Sequence, residues 1–238
     1  MPRTPDLRAR SPGARSERSR RFRCGQESGL WRRGLVARCC DTPVSAEGAR
    51  MKTTPAAVKP TLLLHQEGVV GILAIVGLAF SEAGPGQALA PRSGLVSSLL
   101  IGVACGLVLA CLVWVVRRLG PLLALEEWQR QLVGAWTPSD AVAVAVLSGV
   151  AEEALLRAVL QPLIGLWLAA VLFAVLHVVP DRRLWMWPLL AMAMGVVFGV
   201  LFERWGYPAC AAAHVMVNVV GLLRLGTGGR HKALETKR

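Results

Sequence analysis

Charged residues are scarce in this sequence, and their scarcity excludes an ordinary soluble domain. Only 18% of the 238 residues are charged, whereas 54% are hydrophobic, and a soluble domain of this length needs more charged surface. Beyond residue 60 the hydrophobic residues form runs long enough to span a bilayer, separated by short connectors that contain charge, proline or glycine. This pattern predicts an integral membrane protein rather than an unusually hydrophobic soluble helical bundle.

The cysteine spacings that indicate zinc fingers or disulfide frameworks are also missing. None of the six cysteines belongs to a CxxC motif or to a Cys/His cluster. We therefore expect neither a zinc finger nor a disulfide framework, and interpret the cysteines of the hydrophobic runs as thiols buried in the membrane. Three precede residue 50 and three lie in hydrophobic runs: Cys24, Cys39, Cys40, Cys105, Cys111 and Cys210.

The net charge of +12 does not indicate nucleic-acid binding, because much of it lies in one segment. The first 50 residues contain twelve Arg, no Lys and five acidic residues, with many Ser, Gly and Pro and no hydrophobic periodicity. Such a segment cannot bury enough surface to fold. We interpret residues 1–50 as a disordered basic tail or as an over-extended start, since Met51 opens a plausible beginning of a bacterial-type membrane protein.

The hydrophobic runs predict an all-α fold, a polytopic transmembrane helical bundle with about six spans. A short amphipathic helix, predicted at 119–136 between spans two and three, would lie at the membrane surface. The predicted spans are 62–80, 94–116, 140–161, 163–179, 184–202 and 206–224.

The distribution of positive charge predicts the orientation of these spans. From residue 51 onward, with Arg157 set aside as intramembrane, twelve Lys and Arg lie on one side of the six-span arrangement. Only Arg92 and Arg204 lie on the other. By the positive-inside rule both termini are cytoplasmic, which requires an even number of spans. We expect an integral protein of a prokaryotic plasma membrane.

Few polar side chains lie inside the predicted spans, and these are the functional candidates. A charged residue at the centre of a span costs about 2.5–3.5 kcal/mol on insertion scales, so it needs a reason to be there. His65 and Glu67 lie near the start of span one, where we expect them at the membrane interface. The remaining candidates are Glu152, Glu153, Arg157, His177, His214 and Asn218.

Helical spacing separates the roles of the acidic pair in span three. Glu153 and Arg157 are four residues apart, which favours an ion pair on one helical face. Glu152 projects about 100° away from Glu153, so it has no helical partner and is the better candidate for a reactive carboxylate. A purely structural ion pair with a stray carboxylate is the alternative. Glu126-Glu127 is a similar pair in the amphipathic segment, where it is ordinary solvated charge.

Two further polar groups occur on spans four and six. His177 ends the run FAVLH, which places Phe173 on the same helical face, and His214 and Asn218 are four residues apart. Each group alone has an ordinary explanation, as an interfacial histidine or an interhelical hydrogen bond. Three polar sets on three spans indicate one shared site instead.

The set is suited to peptide-bond hydrolysis, which needs an activated water and donors for the developing oxyanion. Glu152 and His177 can share the water, with the carboxylate as base, while His214 and Asn218 can donate to the oxyanion. Glu152, His177 and His214 could instead hold a catalytic Zn²⁺. An amide is a poor zinc ligand and no HExxH motif is present, yet both versions stay open. No cofactor other than Zn²⁺ is expected.

These motifs resemble those of the CPBP family of intramembrane proteases, also called the ABI family. That family contains CAAX prenyl endopeptidases and bacteriocin-processing or bacteriocin-immunity proteins. The resemblance rests on seven positions in the right order: Glu152-Glu153-x-x-x-Arg157, Phe173-x-x-x-His177 and His214-x-x-x-Asn218.

The resemblance implies an intramembrane endopeptidase with its site in a cavity of the bundle. Glu152, His177, His214 and Asn218 would be catalytic, supported by Glu153 and Arg157, with either metalloprotease or glutamate-type chemistry. The expected partners are a peptide or membrane-protein substrate and the lipid bilayer, and no nucleic acid. The implied division is a tail at 1–50, a first span and loop at 51–93, the protease domain at 94–225 and a basic cytoplasmic tail at 226–238.

Two other functions are compatible with the same residues. A non-catalytic peptide-binding or bacteriocin-immunity protein would keep the fold and capture a peptide without cleaving it. A proton-coupled transporter would use the buried Glu and His as relay groups. We see neither the length nor the inverted repeats of a transporter, and intact motifs favour the peptidase.

Overall fold

The computed structural model describes residues 57–134 and 136–235, so the expectation for residues 1–50 lies outside the described part of the chain. The fold of that part is helical, and its one β-bridge joins Pro91 to Gly206. The helices are α1 (Pro60–Ala79), α2 (Gly84–Ala88), α3 (Leu95–Val116), α4 (Gly120–Val133), α5 (Pro138–Glu153), a π-helical segment (Ala154–Leu160), α6 (Gln161–Leu176), a 3₁₀ turn (Arg182–Leu184), α7 (Met186–Trp205) and α8 (Tyr207–Glu235).

Within the described residues, five helical stretches are long and apolar enough to cross a membrane. Large hydrophobic side chains cover the outside of the bundle, whereas fully buried positions include many alanines. Small residues inside and large apolar residues outside are what helix packing in lipid requires. The protein is thus an integral membrane protein. The stretches are Pro60–Ala79, Leu95–Val116, Pro138–Leu176, Arg182–Trp205 and Tyr207–Gly226.

The longest of these stretches contains two of the predicted spans, because Gly165 breaks it. Gly165 has φ 81° and ψ 164°, a left-handed conformation that glycine adopts without a steric penalty. The Arg157 guanidinium lies 5.6 Å from the centre of the Phe173 ring, whereas a continuous helix would separate these residues by about 24 Å. The chain therefore folds back at Gly165, and the prediction of about six spans is confirmed.

The fourth span is shorter than predicted. Its helical limb runs from Gly165 to Leu176 and rises only about 17 Å, against a hydrocarbon thickness of about 30 Å. The helix ends at Leu176, and its C-cap His177 lies three residues before Pro180. The limb is short for a membrane span, and the residue that follows it, His177, packs against Phe173 and Trp187.

Glycines set the close approach of α3 to α8. A Cβ atom added at Gly106 would lie 2.6 Å from the carbonyl oxygen of Ala213, and one added at Gly102 would collide with that of Ala209. This is close packing of the GxxxG kind. Because the contacts advance together along both chains, α3 and α8 run parallel, as spans two and six of an alternating bundle must.

The first span packs against the third in the same direction. A Cβ atom at Gly71 would lie 3.7 Å from Ala151, and one at Gly77 would lie 2.6 Å from Val159. Both contacts advance along the two chains together, so α1 is parallel to α5. This agrees with odd-numbered spans that share one direction, and it places the middle of α1, around Gly71, beside the part of α5 that carries the acidic pair.

The amphipathic helix predicted between spans two and three is α4. Its polar face carries surface ion pairs, with Glu126 accepting from Arg117 at 3.2 Å and from Arg130 at 2.7 Å. Glu127 is exposed and lies 3.4 Å from Arg130. Glu127 is therefore surface charge, as expected for the pair, whereas Glu126 is part-buried between two arginines.

Candidate active site

The acidic pair of span three lies where α5 passes into the π-helical segment. Glu153 and Arg157 are both 0% exposed, and Arg157 Nε donates to Glu153 Oε2 at 2.9 Å. The ion pair expected from their spacing is present in this structure. Breaking such a buried pair by removing one partner costs about 3–5 kcal/mol, because the other charge is left uncompensated. Its location in a π-helical segment is itself a feature often found at functional sites.

The same carboxylate also holds His214, which reaches it from α8. His214 Nδ1 lies 3.0 Å from Glu153 Oε1, so the ring donates to one carboxylate oxygen while Arg157 donates to the other. The ring is stacked on Phe198, with centroids 4.9 Å apart and planes 17° apart. Since Nδ1 is occupied, Nε2 is the nitrogen left for another partner. Glu153 thereby fixes the orientation of His214.

Asn218 follows His214 by one turn and is held by a residue the sequence analysis did not single out. Asn218 Nδ2 donates to Ser148 Oγ at 3.0 Å across the α5–α8 interface. One N–H of the amide is used in this bond, which leaves the second N–H for another acceptor. His214 and Asn218 are therefore each held by one side-chain hydrogen bond. Nε2 of His214 and the second amide N–H of Asn218 are left for other partners.

His177 lies at the end of α6, facing the same region. Its Nδ1 donates to the Phe173 carbonyl at 2.8 Å, and this again leaves Nε2 for another partner. The Phe173 ring lies 4.6 Å from the ring of His177 and 5.6 Å from that of His214. Phe173 is thus the spacer between the two histidines, and its position one turn before His177 is what sets their separation.

Glu152 has no partner on its own helix in the described residues, as its helical position predicted. Its Oε2 is buried and accepts from no donor in the described residues. The charged groups whose fields reach it include His214, His177 and Glu67. A buried carboxylate oxygen with no donor is costly, so the site holds an unpaired acceptor within electrostatic reach of both histidines.

A cavity of about 470 Å³ opens onto part of this set. His177, His214 and Asn218 line it, whereas Glu152 and Glu153 do not. Most of its wall is apolar, from α3, α4, α7 and α8. Its lining also includes a group of charged residues from α4 and from the ends of α3 and α8: Arg117, Glu126, Arg130 and Arg224. The cavity can hold a short, largely apolar peptide segment against the two histidines.

Glu67 is the residue whose placement the sequence analysis got wrong. We expected it at the membrane interface, but it is 7% exposed and its Oε2 has no partner in the described residues. It interacts electrostatically with His214 and Glu152. His65, two residues earlier, is exposed. Glu67 precedes Gly71 by one helical turn and so faces α5, a pairing that hydrophobic periodicity along α1 alone could not reveal.

Gln161 and Ser148 are further polar residues that the sequence analysis passed over. Both are buried and both support candidate residues, Gln161 through Arg157 and Ser148 through Asn218. A usable signal existed for each. Gln161 follows Arg157 at the same four-residue spacing as Arg157 follows Glu153, and Ser148 precedes Glu152 by one turn.

The zinc alternative finds no support in this arrangement. In the described part of the chain, no group of three or more His, Cys, Asp or Glu side chains is placed so that it could hold a metal ion. The proposed ligands Glu152, His177 and His214 thus do not converge as a metal site requires.

Residues 134–220 match the family described as type II CAAX prenyl endopeptidase Rce1-like. The match contains every candidate residue from Glu152 to Asn218 and excludes Glu67. It confirms the CPBP-family resemblance for this segment and supports a CAAX-type intramembrane protease in general. No curated protein and no solved structure matches the chain.

Proposed function

Because residues 134–220 match the type II CAAX prenyl endopeptidase family, we propose that this chain is an intramembrane endopeptidase. Its substrates would be CAAX-like peptides or membrane-associated proteins, cleaved by a water that Glu152 and His177 activate. His214 and Asn218 would form the oxyanion site, and Glu153 and Arg157 would support them.

One observation carries this proposal more than the others. His214, held by Glu153 at 3.0 Å, and Asn218, held by Ser148 at 3.0 Å, both line one cavity with His177. A pair of supported donors at the wall of an apolar cavity is the arrangement that stabilises a developing oxyanion. A merely structural histidine–asparagine pair would not need a cavity beside it.

The hydrolysis follows from the free atoms of these side chains. Glu152 takes a proton from water, and the oxygen of that water attacks the substrate carbonyl carbon. The oxyanion accepts hydrogen bonds from Asn218 Nδ2 and from His214 Nε2, which can donate when the ring is an imidazolium stabilised by Glu153. The C–N bond then breaks, and the proton held by Glu152 passes to the departing amine. Glu152 does not itself line the cavity, and in this proposal it acts on the scissile bond only through the water.

The cavity's arginines support cytoplasmic access for the substrate. Arg117, Arg130 and Arg224 lie on the side that the positive-inside rule assigns to the cytoplasm, and all three line the cavity. The first turns of α1 share a hydrophobic cluster with the end of α8, which agrees with both termini on that side. Cysteine labelling of a Gly120→Cys variant in sealed, oriented vesicles tests cytoplasmic access. Labelling only from the side opposite the cytoplasm would contradict it.

The test of the proposed function is proteolysis of a membrane-peptide library, including prenylated CAAX peptides, by the purified protein in liposomes. Wild type is compared with Glu152→Ala and His214→Ala, and with Glu127→Ala as a matched surface carboxylate. We expect cleavage by wild type and Glu127→Ala only. If the folded wild type binds peptides but cleaves none of them, the non-catalytic binding or immunity function replaces this proposal.

A further inference from the structure

Gln161 makes an unusual number of polar contacts for a residue inside a membrane bundle. It is 4% exposed. Its Oε1 accepts from Arg157 Nη1 at 3.4 Å, and its Nε2 lies 3.2 Å from the Gly199 carbonyl and 3.0 Å from Glu203 Oε1. A buried amide whose donor and acceptor are both engaged fixes its neighbours strongly, because each of those groups would otherwise be unpaired in a low-dielectric interior.

On one side, these contacts lead to His214. Arg157 donates to Glu153, and Glu153 accepts from His214. Glu153, Arg157 and Gln161 follow one another at intervals of four residues, so they continue along one face from α5 through the π-helical segment into α6. Gln161 is the last member of this buried row, where it meets α7.

On the other side, the contacts return to the same imidazole through α7. Gly199, whose carbonyl accepts from Gln161, is the neighbour of Phe198, and Phe198 is stacked on His214 at 4.9 Å. The contacts therefore form a closed ring through α8, α5, α6 and α7. One arm of the ring holds the edge of the imidazole through Glu153, and the other holds its face.

We propose that Gln161 is a positioning residue for His214, joining the hydrogen-bonded arm of this ring to the stacked arm. It touches neither substrate nor reacting atoms. It keeps Arg157 aligned on Glu153 while tying both to the α7 turn that carries Phe198, so that Nε2 of His214 stays aimed into the cavity. This role rests on the proposed function of His214, but the position of the imidazole can be measured without any substrate.

Two variants perturb this closed set of contacts from different sides. Gln161→Met keeps the length of the side chain and removes its hydrogen bonds. Gly199→Ala keeps every hydrogen-bonding group, but its Cβ would lie 2.9 Å from Gln161 Oε1 and so displaces the amide. The controls are Gln87→Met, at an exposed glutamine, and Gly68→Ala, where a Cβ meets nothing within 4 Å.

The experiment combines imidazole NMR with steady-state kinetics on ¹⁵N-histidine-labelled protein in micelles. Only four histidines are present, and a His214→Ala variant assigns the signal of interest. We expect Gln161→Met and Gly199→Ala both to shift the NMR signals of His214 and to leave those of His65 in place. We also expect kcat to fall about 10- to 100-fold, the cost of a small misplacement, with KM changed little because the loss is in the transition state.

Unchanged His214 signals in both folded variants would overturn the positioning role, whatever the activity. A loss that appears only in KM would also contradict it. If one variant fails to fold, the other still decides, since they act by different means. Shifted signals in a protein whose wild type cleaves nothing would support the positioning role while removing the proposed function, so the two failures are distinguishable.

Discussion

Removing the charge of Arg157 tests the buried ion network most strongly. In Arg157→Met, Glu153 would be a fully buried carboxylate that keeps only the hydrogen bond from His214. Breaking a buried pair in this way costs about 3–5 kcal/mol, and Gln161 Oε1 also loses a donor, which adds about 1 kcal/mol. We therefore expect the unfolding equilibrium constant to rise by about 1,000- to 10,000-fold.

A double-mutant cycle separates charge from packing in this prediction. Glu153→Gln combined with Arg157→Met removes both charges and keeps an amide oxygen that can accept from His214. Replacing a buried ion pair by neutral groups of similar volume is often close to neutral, so the double variant should be more stable than either single variant. It should nevertheless be inactive, because His214 no longer has a carboxylate beside it.

Equilibrium unfolding in mixed detergent micelles measures both effects, with Arg183→Met as the control. Arg183 is 69% exposed and pairs with Asp181 at 2.6 Å, which holds the pKa of Asp181 at about 2. Exposed pairs contribute little to stability, so this variant should unfold almost like wild type. The reasoning is refuted if Arg157→Met costs no more than Arg183→Met, or if the double variant is less stable than both single variants.

Three other outcomes are expected. Gly102→Ala should destabilise the protein by about 1–3 kcal/mol, because the added Cβ meets the backbone of α8. Gly68→Ala should unfold like wild type. Equal unfolding midpoints for the two variants would contradict the α3–α8 packing. Glu67→Gln should keep the fold and lower kcat about fivefold, because about 1 kcal/mol of attraction to the His214 imidazolium is lost. The control variant His65→Gln should have no effect on kcat. Equal rates for the two variants would remove Glu67 from the site. Incubation with a chelator should leave peptidase activity unchanged, since no set of three metal-binding side chains converges in the described residues. Activity that is lost to the chelator and restored by Zn²⁺ would refute the metal-independent mechanism.

The features predictable from the sequence are those that depend on distance along one helix. The Glu153–Arg157 pair follows from a four-residue spacing, and the isolation of Glu152 from a 100° rotation. The number of spans follows from hydrophobic length and charge asymmetry. None of these requires knowledge of which helices are neighbours.

The features that escaped prediction depend on pairing between helices. Whether Glu67 is interfacial or buried is decided by α5 lying against its face of α1, and Gln161 matters because α7 lies beside α6. The shortness of the fourth span comes from a positive φ at Gly165, which no hydropathy pattern reports. Periodicity gives the face of a residue but not the element that covers it.

The most direct test of the central claim is cleavage of a substrate peptide in heavy-oxygen water, followed by mass spectrometry of the products. If Glu152 activates a water, wild type should place one heavy oxygen in the new carboxyl terminus. Glu152→Gln, which retains the size of the side chain, should release no product. Cleavage that persists in a folded Glu152→Gln protein would contradict the account, since the carboxylate would then not be the base.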